Sequence, residues 1–390
     1  MSAGLAGLRA DYQPVVDLRD RSVVGYEALA RGDAAGLQSP AELFAAARAG
    51  ALAAELDAAC RALALEGAMQ AGLGAPFALF LNVSAEGLAA VGPASLVQGD
   101  DAPAGGPTFV LEVDERALVA RPERLLRALT DLRTRGWGVA LDDVSADPKA
   151  LALMSVIQPD IIKLDLHRLA ERPAAEVAAT VAAVGAESER RHATVLAEGI
   201  DSEDQLDAAR AYGATLGQGY LLGAPGPLPS PLPGAGRPIA LAGSGAAPDG
   251  PGPYERIVNW RRPALAGRAL AAHAARLVLE LANDMGESGV LLATFPRPEL
   301  ADLGALRQLA RRLAFVGALA PGPPEPSPEG VRGGAPVPDG TWTVLALGPT
   351  RAACFAGRET EDGCWSFATT YDRELVVECA LGLLARMAPL

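Results

Sequence analysis

The 390-residue sequence is poor in the residues that build disulfide frameworks and zinc sites. It has four cysteines without a C-x-x-C pair and three scattered histidines, so neither a disulfide scaffold nor a structural zinc site is expected. No uninterrupted apolar run approaches the roughly 18 residues of a membrane-spanning helix, and the first residues lack a signal-peptide pattern. These absences predict a protein of a reducing cytoplasm that does not insert into a membrane.

Lysine is also scarce, because Lys149 and Lys163 are the only lysines among 34 basic residues. The 47 acidic residues outnumber the basic ones and give a formal net charge of -13. Such a surplus of negative charge repels polymeric nucleic acid and anionic membrane surfaces. The negative charge of the chain does not exclude a small anionic ligand, because metal ions could mask local carboxylates.

Half of the residues are hydrophobic and 21% are charged, which is typical of a globular chain, and the length allows two domains. Between Gly223 and Pro253, 17 of 31 residues are Gly or Pro, a composition that sustains neither a helix nor a central strand. We therefore predict a first domain at residues 1–223, a linker at residues 224–253 and a second domain at residues 254–390.

Upstream of the linker, short apolar runs alternate with stretches of helical periodicity such as Leu125, Leu129 and Leu132. This succession predicts an α/β fold with a largely parallel sheet, and its length fits a (β/α) barrel of the TIM type. The predicted strands are Tyr26–Leu29, Phe77–Leu81, Phe109–Val113, Gly138–Leu141, Ile161–Leu164, Thr194–Ala197 and Leu216–Leu222.

Downstream of the linker, the pattern predicts a smaller α/β domain. Its predicted strands are Gly289–Phe295, Ala314–Ala320, Thr341–Leu347 and Ala352–Ala356. Its predicted helices lie near Ala264–Asn283, Pro298–Leu313 and Arg373–Met387.

Polar residues lie at or near the ends of the barrel strands, and the carboxyl ends of barrel strands meet on one face. They are Glu27, Asn82, Glu112, Asp142, Asp143, Lys163, Glu198 and Gln218. If Asn82 or Asp143 stood alone, a role in turns or helix caps would explain why it lies at a strand end. Such a role does not explain Glu198, because Glu is a poor N-cap. It fits Lys163 least of all, because apolar residues flank this lysine on its strand.

Five carboxylates at one barrel mouth would repel each other and lose hydration unless cations neutralised them. Carboxylate and amide oxygens form a hard donor set that suits Mg²⁺ or Mn²⁺, with Ca²⁺ as an inhibitory substitute. The adjacent Asp142 and Asp143 would flank or bridge two ions, the arrangement that serves phosphoester hydrolysis. A phosphodiester is therefore the expected class of substrate.

The same residues lie in eight motifs, and with these motifs the chain from about Tyr12 to Gly223 resembles the EAL-domain cyclic di-GMP phosphodiesterases. The motifs are Tyr12-Gln13-Pro14-Val15, Glu27-Ala28-Leu29-Ala30-Arg31, Leu81-Asn82-Val83-Ser84, Leu111-Glu112-Val113-Asp114-Glu115, Leu141-Asp142-Asp143, Ile162-Lys163-Leu164-Asp165, Ala197-Glu198-Gly199-Ile200 and Gly217-Gln218-Gly219-Tyr220. One three-letter string would be a weak signal, whereas eight motifs in order are a strong one.

The resemblance implies a modified TIM barrel in which two metal ions hydrolyse cyclic di-GMP to linear pGpG. It implies one ion held by Glu27, Asn82, Glu112 and Asp142, and a second held by Asp142, Asp143 and Glu198.

The resemblance also implies roles for residues around the metals. Lys163 would position or polarise the attacking water, and Gln218 would support the network of water and metal. Leu29 and Arg31 would line the substrate groove, with Arg31 meeting a phosphate. Glu115 would anchor the loop after the paired aspartates, and we favour this role over that of a solvated charge at the strand end.

That loop departs from the family pattern. Family members usually continue with Phe-Gly-Thr/Ala-Gly-Tyr-Ser-Ser, in a loop that helps to couple the second metal to dimerisation. This chain instead has Val144-Ser145-Ala146-Asp147-Pro148-Lys149, without the glycines and the aromatic residue. The resemblance implies a homodimer, but the departure puts dimer-dependent activation and full catalytic rate in question.

Three hypotheses therefore stay open. The first is a cyclic di-GMP phosphodiesterase, and the second is a catalytically weak cyclic di-GMP receptor that signals through its second domain. The third is a related barrel that acts on another phosphodiester. Retention of the costly charged cluster favours the enzyme, whereas the altered loop favours the receptor.

The chain after about Tyr254 shows a weaker resemblance, to the DICT sensory domain that accompanies cyclic di-GMP enzymes. The matching stretches are Leu291–Phe295, Trp342–Pro349 and Phe367–Arg373. The resemblance implies that this part regulates the barrel. Its aromatic residues Trp342, Trp365, Phe367 and Tyr371 would either line a ligand pocket or pack in a core, and core packing is the simpler explanation.

Overall fold

A computed structural model describes the parts of the chain that position the candidate site. The described residues are 7–33, 40–50, 52–84, 87, 105–113, 122–144, 148–241, 250–320, 331–332 and 340–387. The chain divides into two compact units. The first unit comprises Met1–Ala120, Arg127–Ala146 and Pro159–Ser244, and the second comprises Arg121–Leu126, Asp147–Gln158 and Gly245–Leu390. None of the described helices has the length and apolar character that a membrane crossing requires.

The first unit contains a closed eight-stranded barrel, which confirms the predicted fold class. Its strands are β1 (Leu8–Asp17), β2 (Val23–Gly32), β3 (Ala78–Val83), β4 (Thr108–Val113), β5 (Gly138–Leu141), β6 (Ile161–Asp165), β7 (Thr194–Glu198) and β8 (Leu216–Gly217). Successive strands from β2 to β8 pair in parallel. Strand β1 is antiparallel to both β2 and β8, and this reversal makes the barrel a modified TIM barrel.

Helices connect the parallel strands. They are Pro40–Ala49, Ala53–Gln70, Pro122–Thr134, Pro148–Ile157, Leu166–Ala170, Ala174–Arg191 and Glu203–Ala211. Two of them begin at side-chain caps that the sequence supplies directly after a strand. Asp165 accepts hydrogen bonds from the His167 and Arg168 amides, and Ser202 accepts one from the Gln205 amide.

Strand β1 was not among the predicted strands. Its apolar residues alternate with Arg9, Asp11 and Gln13, so it lacks the continuous apolar run by which buried parallel strands are recognised. The predicted run Leu216–Leu222 forms strand only at its first two residues.

The Pro- and Gly-rich stretch lies along the barrel as far as residue 241. Tyr12 and Gly226 exchange two backbone hydrogen bonds of 2.6 and 3.1 Å, and the Gly236 amide donates to the Val23 carbonyl at 2.8 Å. Ile239 packs against the apolar cluster inside the barrel. The part of the stretch at residues 224–241 is therefore held by contacts with the barrel, and the predicted linker boundaries stay a prediction.

The second unit contains a seven-stranded mixed sheet in the order β12-β11-β10-β13-β14-β15-β9. Its strands are β9 (Ala264–Ala266), β10 (Val290–Thr294), β11 (Phe315–Leu319), β12 (Val331–Arg332), β13 (Thr341–Leu347), β14 (Ala352–Glu359) and β15 (Trp365–Thr370). Its helices are Pro253–Val258, Arg268–Met285, Leu303–Ala310 and Arg373–Arg386, with short 3₁₀ turns at Gly286–Ser288 and Pro298–Leu300. The helix predicted from Ala264 was wrong in its first turn, because residues 264–266 pair with β15 as an edge strand.

Aromatic residues form the core of this second sheet on the face that the helix Arg268–Met285 covers. The Trp342 ring packs edge-on against Phe355 and Trp365, with both centroid distances 5.4 Å, and Phe367 belongs to the same cluster. The expectation of core packing is correct for these residues. It was wrong for Tyr371, which is 63% exposed.

Alternation along the barrel strands fills the barrel interior with one ring of apolar side chains. The ring consists of Val15, Val24, Ala78, Phe80, Val110, Ala140, Ile161, Leu196 and Leu216. Phe80 is the largest of them and is fully buried. This ring forms the floor on which the candidate site is built.

We predict that Phe80→Ala destabilises the barrel by about 3–5 kcal/mol, because it leaves a cavity at the centre of this ring. Phe80→Leu retains much of the volume and should cost under about 2 kcal/mol. Urea unfolding measures both, with the exposed Glu189→Ala as a matched control. A cost below about 1 kcal/mol for Phe80→Ala would contradict the assignment of Phe80 to the packed interior.

Candidate functional site

Six candidate residues lie two positions after a residue of the interior ring. The pairs are Phe80 and Asn82, Val110 and Glu112, Ala140 and Asp142, Ile161 and Lys163, Leu196 and Glu198, and Leu216 and Gln218. Side chains along a strand return to the same face every two residues, so each candidate residue lies one layer above the apolar ring. Because β3 to β8 run parallel, all six lie at one end of the barrel.

Lys163 lies at the centre of this layer, and its side chain is 1% exposed. Four carboxylates surround its ammonium group. The distances from Nζ are 2.6 Å to Glu112 Oε1, 2.7 Å to Glu198 Oε1, 3.1 Å to Asp142 Oδ1 and 3.5 Å to Glu27 Oε2. The structure therefore brings together residues of β2, β4, β6 and β7 and the residue after β5, as the sequence predicted for one barrel mouth.

Amide side chains hold Glu27 in this cluster. Asn82 Nδ2 donates to Glu27 Oε1 at 3.0 Å, and Gln218 Nε2 donates to Glu27 Oε2 at 2.7 Å. Gln218 Nε2 also donates to Gln13 Oε1 at 3.0 Å, and Gln13 Nε2 donates to the Gly223 carbonyl at 3.0 Å. These bonds fix one side of the mouth before any ligand binds.

Opposing effects set the pKa values in the cluster. Burial lowers the pKa of Lys163, but the surrounding carboxylates outweigh burial and raise it well above its usual range, so the ammonium stays protonated at neutral pH. Burial raises the pKa of Glu27, but Lys163 and the amide hydrogen bonds outweigh it and give a net lowering. Burial, followed by the charge of Glu27, raises the pKa of Glu112 well above its ordinary value.

Glu198 is the cluster carboxylate with a pKa in the physiological range. Burial, opposed by Lys163 and reinforced by the charge of Asp142, raises the pKa of Glu198 from 4.5 to about 8. A glutamate with this pKa carries a proton for much of the time at neutral pH when no cation other than Lys163 is near.

The cluster contains more carboxyl groups than Lys163 can balance. Ionisation of all four beside one ammonium would leave a net charge of -3, and the raised pKa values of Glu112 and Glu198 reflect this excess. Within the described residues, neither oxygen of Glu112 has a hydrogen bond of good geometry, although Oε1 lies 2.6 Å from Nζ, and Gln218 Oε1 also has none. Buried oxygens without donors fit a divalent cation that takes oxygen ligands.

The carboxylates now face the lysine. Among the residues described, no three Asp, Glu, His or Cys side chains converge in an arrangement that holds a metal ion as it stands.

Asp143 lies beside the cluster and pairs with an arginine. Arg168 Nη1 contacts Asp143 Oδ2, and Arg168 Nε lies 3.6 Å from Asp165 Oδ2. Asp143 has a φ of 62°, which is uncommon for a residue other than glycine. The backbone around it is held by a 3.1 Å bond from the Val144 amide to the Lys163 carbonyl.

Arg31 and Leu29 lie outside the cluster. Arg31 Nε is 3.3 Å from Asp11 Oδ2, and its Nη1 donates to the Ala30 carbonyl. Leu29 is half-buried, two residues from Glu27 on β2. Glu115 lies outside the described residues, so its role as a loop anchor stays a prediction.

The sequence reasoning did not assign roles to Gln13 and Arg168. Gln13 lies two positions before the interior residue Val15 on β1, so the same alternation would have indicated it once β1 was recognised. Arg168 lies one turn after the capping residue Asp165, and nothing in the local sequence indicates that it contacts Asp143.

Comparison with known proteins gives a family match over this barrel. Residues 4–225, more than half of the chain, match the sequence model of the EAL domain. The match ends at residue 225, so the likeness of the chain after about Tyr254 to a DICT domain stays a prediction.

A curated relative and solved structures are similar over the same part. The Pseudomonas aeruginosa protein named cyclic di-GMP phosphodiesterase NbdA is 30% identical over 237 residues, which are 57% of this chain and 29% of the relative. The chain spans a third or less of the length of the first curated relatives that it matches.

Two complexes of Klebsiella pneumoniae BlrP1 with cyclic di-GMP also match, each with a TM-score of 0.48. The manganese complex at pH 9.0 is 27% identical and covers 56% of each chain. The calcium complex at pH 8.0 is 26% identical and covers 58% of this chain and 57% of the other.

We predict that the metal-free protein loses stability as pH rises from 5 to 8. In this window the folded chain retains the Glu198 proton that the unfolded chain has lost, so the free energy of unfolding falls. The melting temperature of the barrel, measured in EDTA, should fall by at least about 2–4 °C.

Glu198→Gln should reduce this pH dependence, because the amide does not titrate. A melting temperature that is constant or rises between pH 5 and 8, or the same slope in wild type and Glu198→Gln, would contradict the raised pKa.

We also predict that Arg168→Ala strengthens Mn²⁺ binding to the whole protein, because the arginine competes with a metal ion for Asp143. The ion pair is half-exposed, so the gain should be about fivefold or less. Isothermal titration with MnCl₂ measures it. Arg172→Ala, which breaks a comparable exposed pair with Glu176, is the control and should leave the affinity unchanged. Equal or weaker binding by Arg168→Ala would refute the competition.

Proposed function

The chain belongs to the EAL domain family, and we propose that its barrel hydrolyses cyclic di-GMP to linear pGpG with two divalent metal ions. One observation carries this proposal: four carboxyl groups converge on a single ammonium group, that of Lys163, at the barrel mouth. Burying like charges together is costly, and holding a nucleotide does not require it. The identity of the nucleotide is inferred from the named activity of the relative NbdA.

The proposal assigns the metal ligands as the family resemblance implies. Glu27, Asn82, Glu112 and Asp142 would hold one ion, and Asp142, Asp143 and Glu198 would hold the other. The hard oxygen donors favour Mg²⁺ or Mn²⁺, with Ca²⁺ as an inhibitory substitute. When bound, such ions lower the pKa of water and stabilise negative charge on a leaving oxygen.

The protein's own groups would orient the reactants. Hydrolysis forms one bond between phosphorus and the water oxygen and breaks one P–O3′ bond, and the leaving oxygen takes a proton. Lys163 is protonated at neutral pH, so it would serve as a hydrogen-bond donor and counter-charge and not as the base. Gln218 Oε1, which has no donor within the described part of the chain, would accept a hydrogen bond from the water. Arg31, with Leu29 beside it, would meet a phosphate of the substrate.

The second candidate function is a cyclic di-GMP receptor with little turnover that signals through its second unit. The contact between Asp143 and Arg168 favours it, because that contact occupies a carboxylate that the second ion needs. The enzyme remains our first choice because every assigned metal ligand is present. Homodimer formation and control by the second unit are further parts of the proposal.

We predict that purified protein with Mg²⁺ or Mn²⁺ converts cyclic di-GMP to pGpG. Glu27→Ala and Lys163→Ala should each lower the rate at least about 100-fold, because each removes a charge from the site. Chromatography of the nucleotide products measures the rate. The exposed Glu176→Ala on the outer helix is the matched control and should retain full activity.

Binding of cyclic di-GMP, measured on the same samples, separates the two candidates. Tight binding with no pGpG under either metal would establish the receptor and refute the enzyme. No binding and no turnover would refute both.

A further inference from the structure

A cavity of about 750 Å³ lies within the second unit. It is enclosed by the helix Arg268–Met285, the helix Leu303–Ala310 and the sheet face between them. A volume of this size is typical of pockets that bind small organic molecules.

The floor of the cavity is apolar except for one donor. Phe295, Trp342 and Val344 line it from the sheet, and all three are buried. Trp342 is 5% exposed, and its indole Nε1–H has no hydrogen-bond partner in the described residues. This Nε1–H is itself buried, so the floor presents an apolar surface to the cavity.

The rim of the cavity carries a surplus of positive charge. Four arginines line it against three acidic residues, and one of the acidic side chains, Asp302, caps a helix by accepting from the Ala305 amide at 3.0 Å. Arg276 and Arg312 are exposed, and neither forms an ion pair with the described residues. A positive rim is unexpected by chance in a chain of net charge -13.

The apolar floor and the arginine rim together indicate the chemical class of ligand that would fit the cavity. We propose that this cavity binds a small organic anion whose flat apolar body contacts Phe295 and Val344 and whose acidic group meets Arg276 and Arg312. Guanidinium groups that have no carboxylate partner favour a carboxylate, sulfonate or phosphate over a neutral ligand. This site is separate from the proposed phosphodiesterase centre, and its test does not depend on turnover.

Two dyes with nearly the same aromatic body test the proposal on the full-length protein. The anionic probe is 8-anilino-1-naphthalenesulfonate, and the neutral probe is N-phenyl-1-naphthylamine. Fluorescence titration of wild type should show tighter binding of the anion. Arg276→Gln and Arg312→Gln should each weaken binding of the anionic dye by about fivefold or more and leave the affinity for the neutral dye unchanged.

The controls locate the effect. Arg307 lies on the helix Leu303–Ala310 and is exposed, but it does not line the cavity. Arg307→Gln should therefore leave the affinity for both dyes unchanged. Ala272→Trp fills the cavity from the opposite helix and should weaken both dyes. The melting temperature of each variant verifies its folding, and the two arginine variants change exposed side chains only.

Three results would overturn the proposal. The first is an affinity for the anionic dye that is the same in wild type, Arg276→Gln and Arg312→Gln. The second is an equal loss in Arg307→Gln, which would indicate general surface charge and not this rim. The third is an unchanged affinity of Ala272→Trp for both dyes, which would place the dyes elsewhere on the protein.

Discussion

The contact between one buried ammonium and four carboxylates is the interaction on which the first unit's site depends. Lys163 cannot be buried without anions around it, and Glu112 cannot be buried as an anion without a cation nearby. The two requirements meet at the barrel mouth, where four carboxyl groups share one lysine. Our proposal of divalent cations at the mouth, and through them of a phosphodiester, rests on this excess of carboxyl groups.

The geometry of this contact follows from ordinary strand alternation. A ring of apolar residues fills the barrel, and the next inward position on six strands carries a polar group. The apolar ring excludes water from below, which strengthens the electrostatic interactions in the layer above. Gln218 and Asn82 then hold Glu27 by hydrogen bonds, so the cluster is arranged by the same backbone that forms the barrel.

Much of the barrel and its charged layer was predictable, because short apolar runs and the polar residues beside them are local features of the sequence. Glu198 and Lys163 were predicted to meet, and they lie 2.7 Å apart. Strand β1 was missed because its apolar residues alternate with polar ones and form no continuous apolar run, and with it the role of Gln13 was missed. The contact of Arg168 with Asp143 joins residues 25 positions apart and has no local signature. The cavity in the second unit likewise depends on how two helices lie on a sheet, which no single segment encodes.

The central claim is that the carboxylate layer is a two-ion site. Crystals of the full-length protein soaked in MnCl₂ and cyclic di-GMP test it by anomalous diffraction at the manganese edge. The account predicts two anomalous peaks beside the side chains of Glu27, Asp142 and Glu198. A map without peaks there, while Lys163 still holds all four carboxylates, would contradict it.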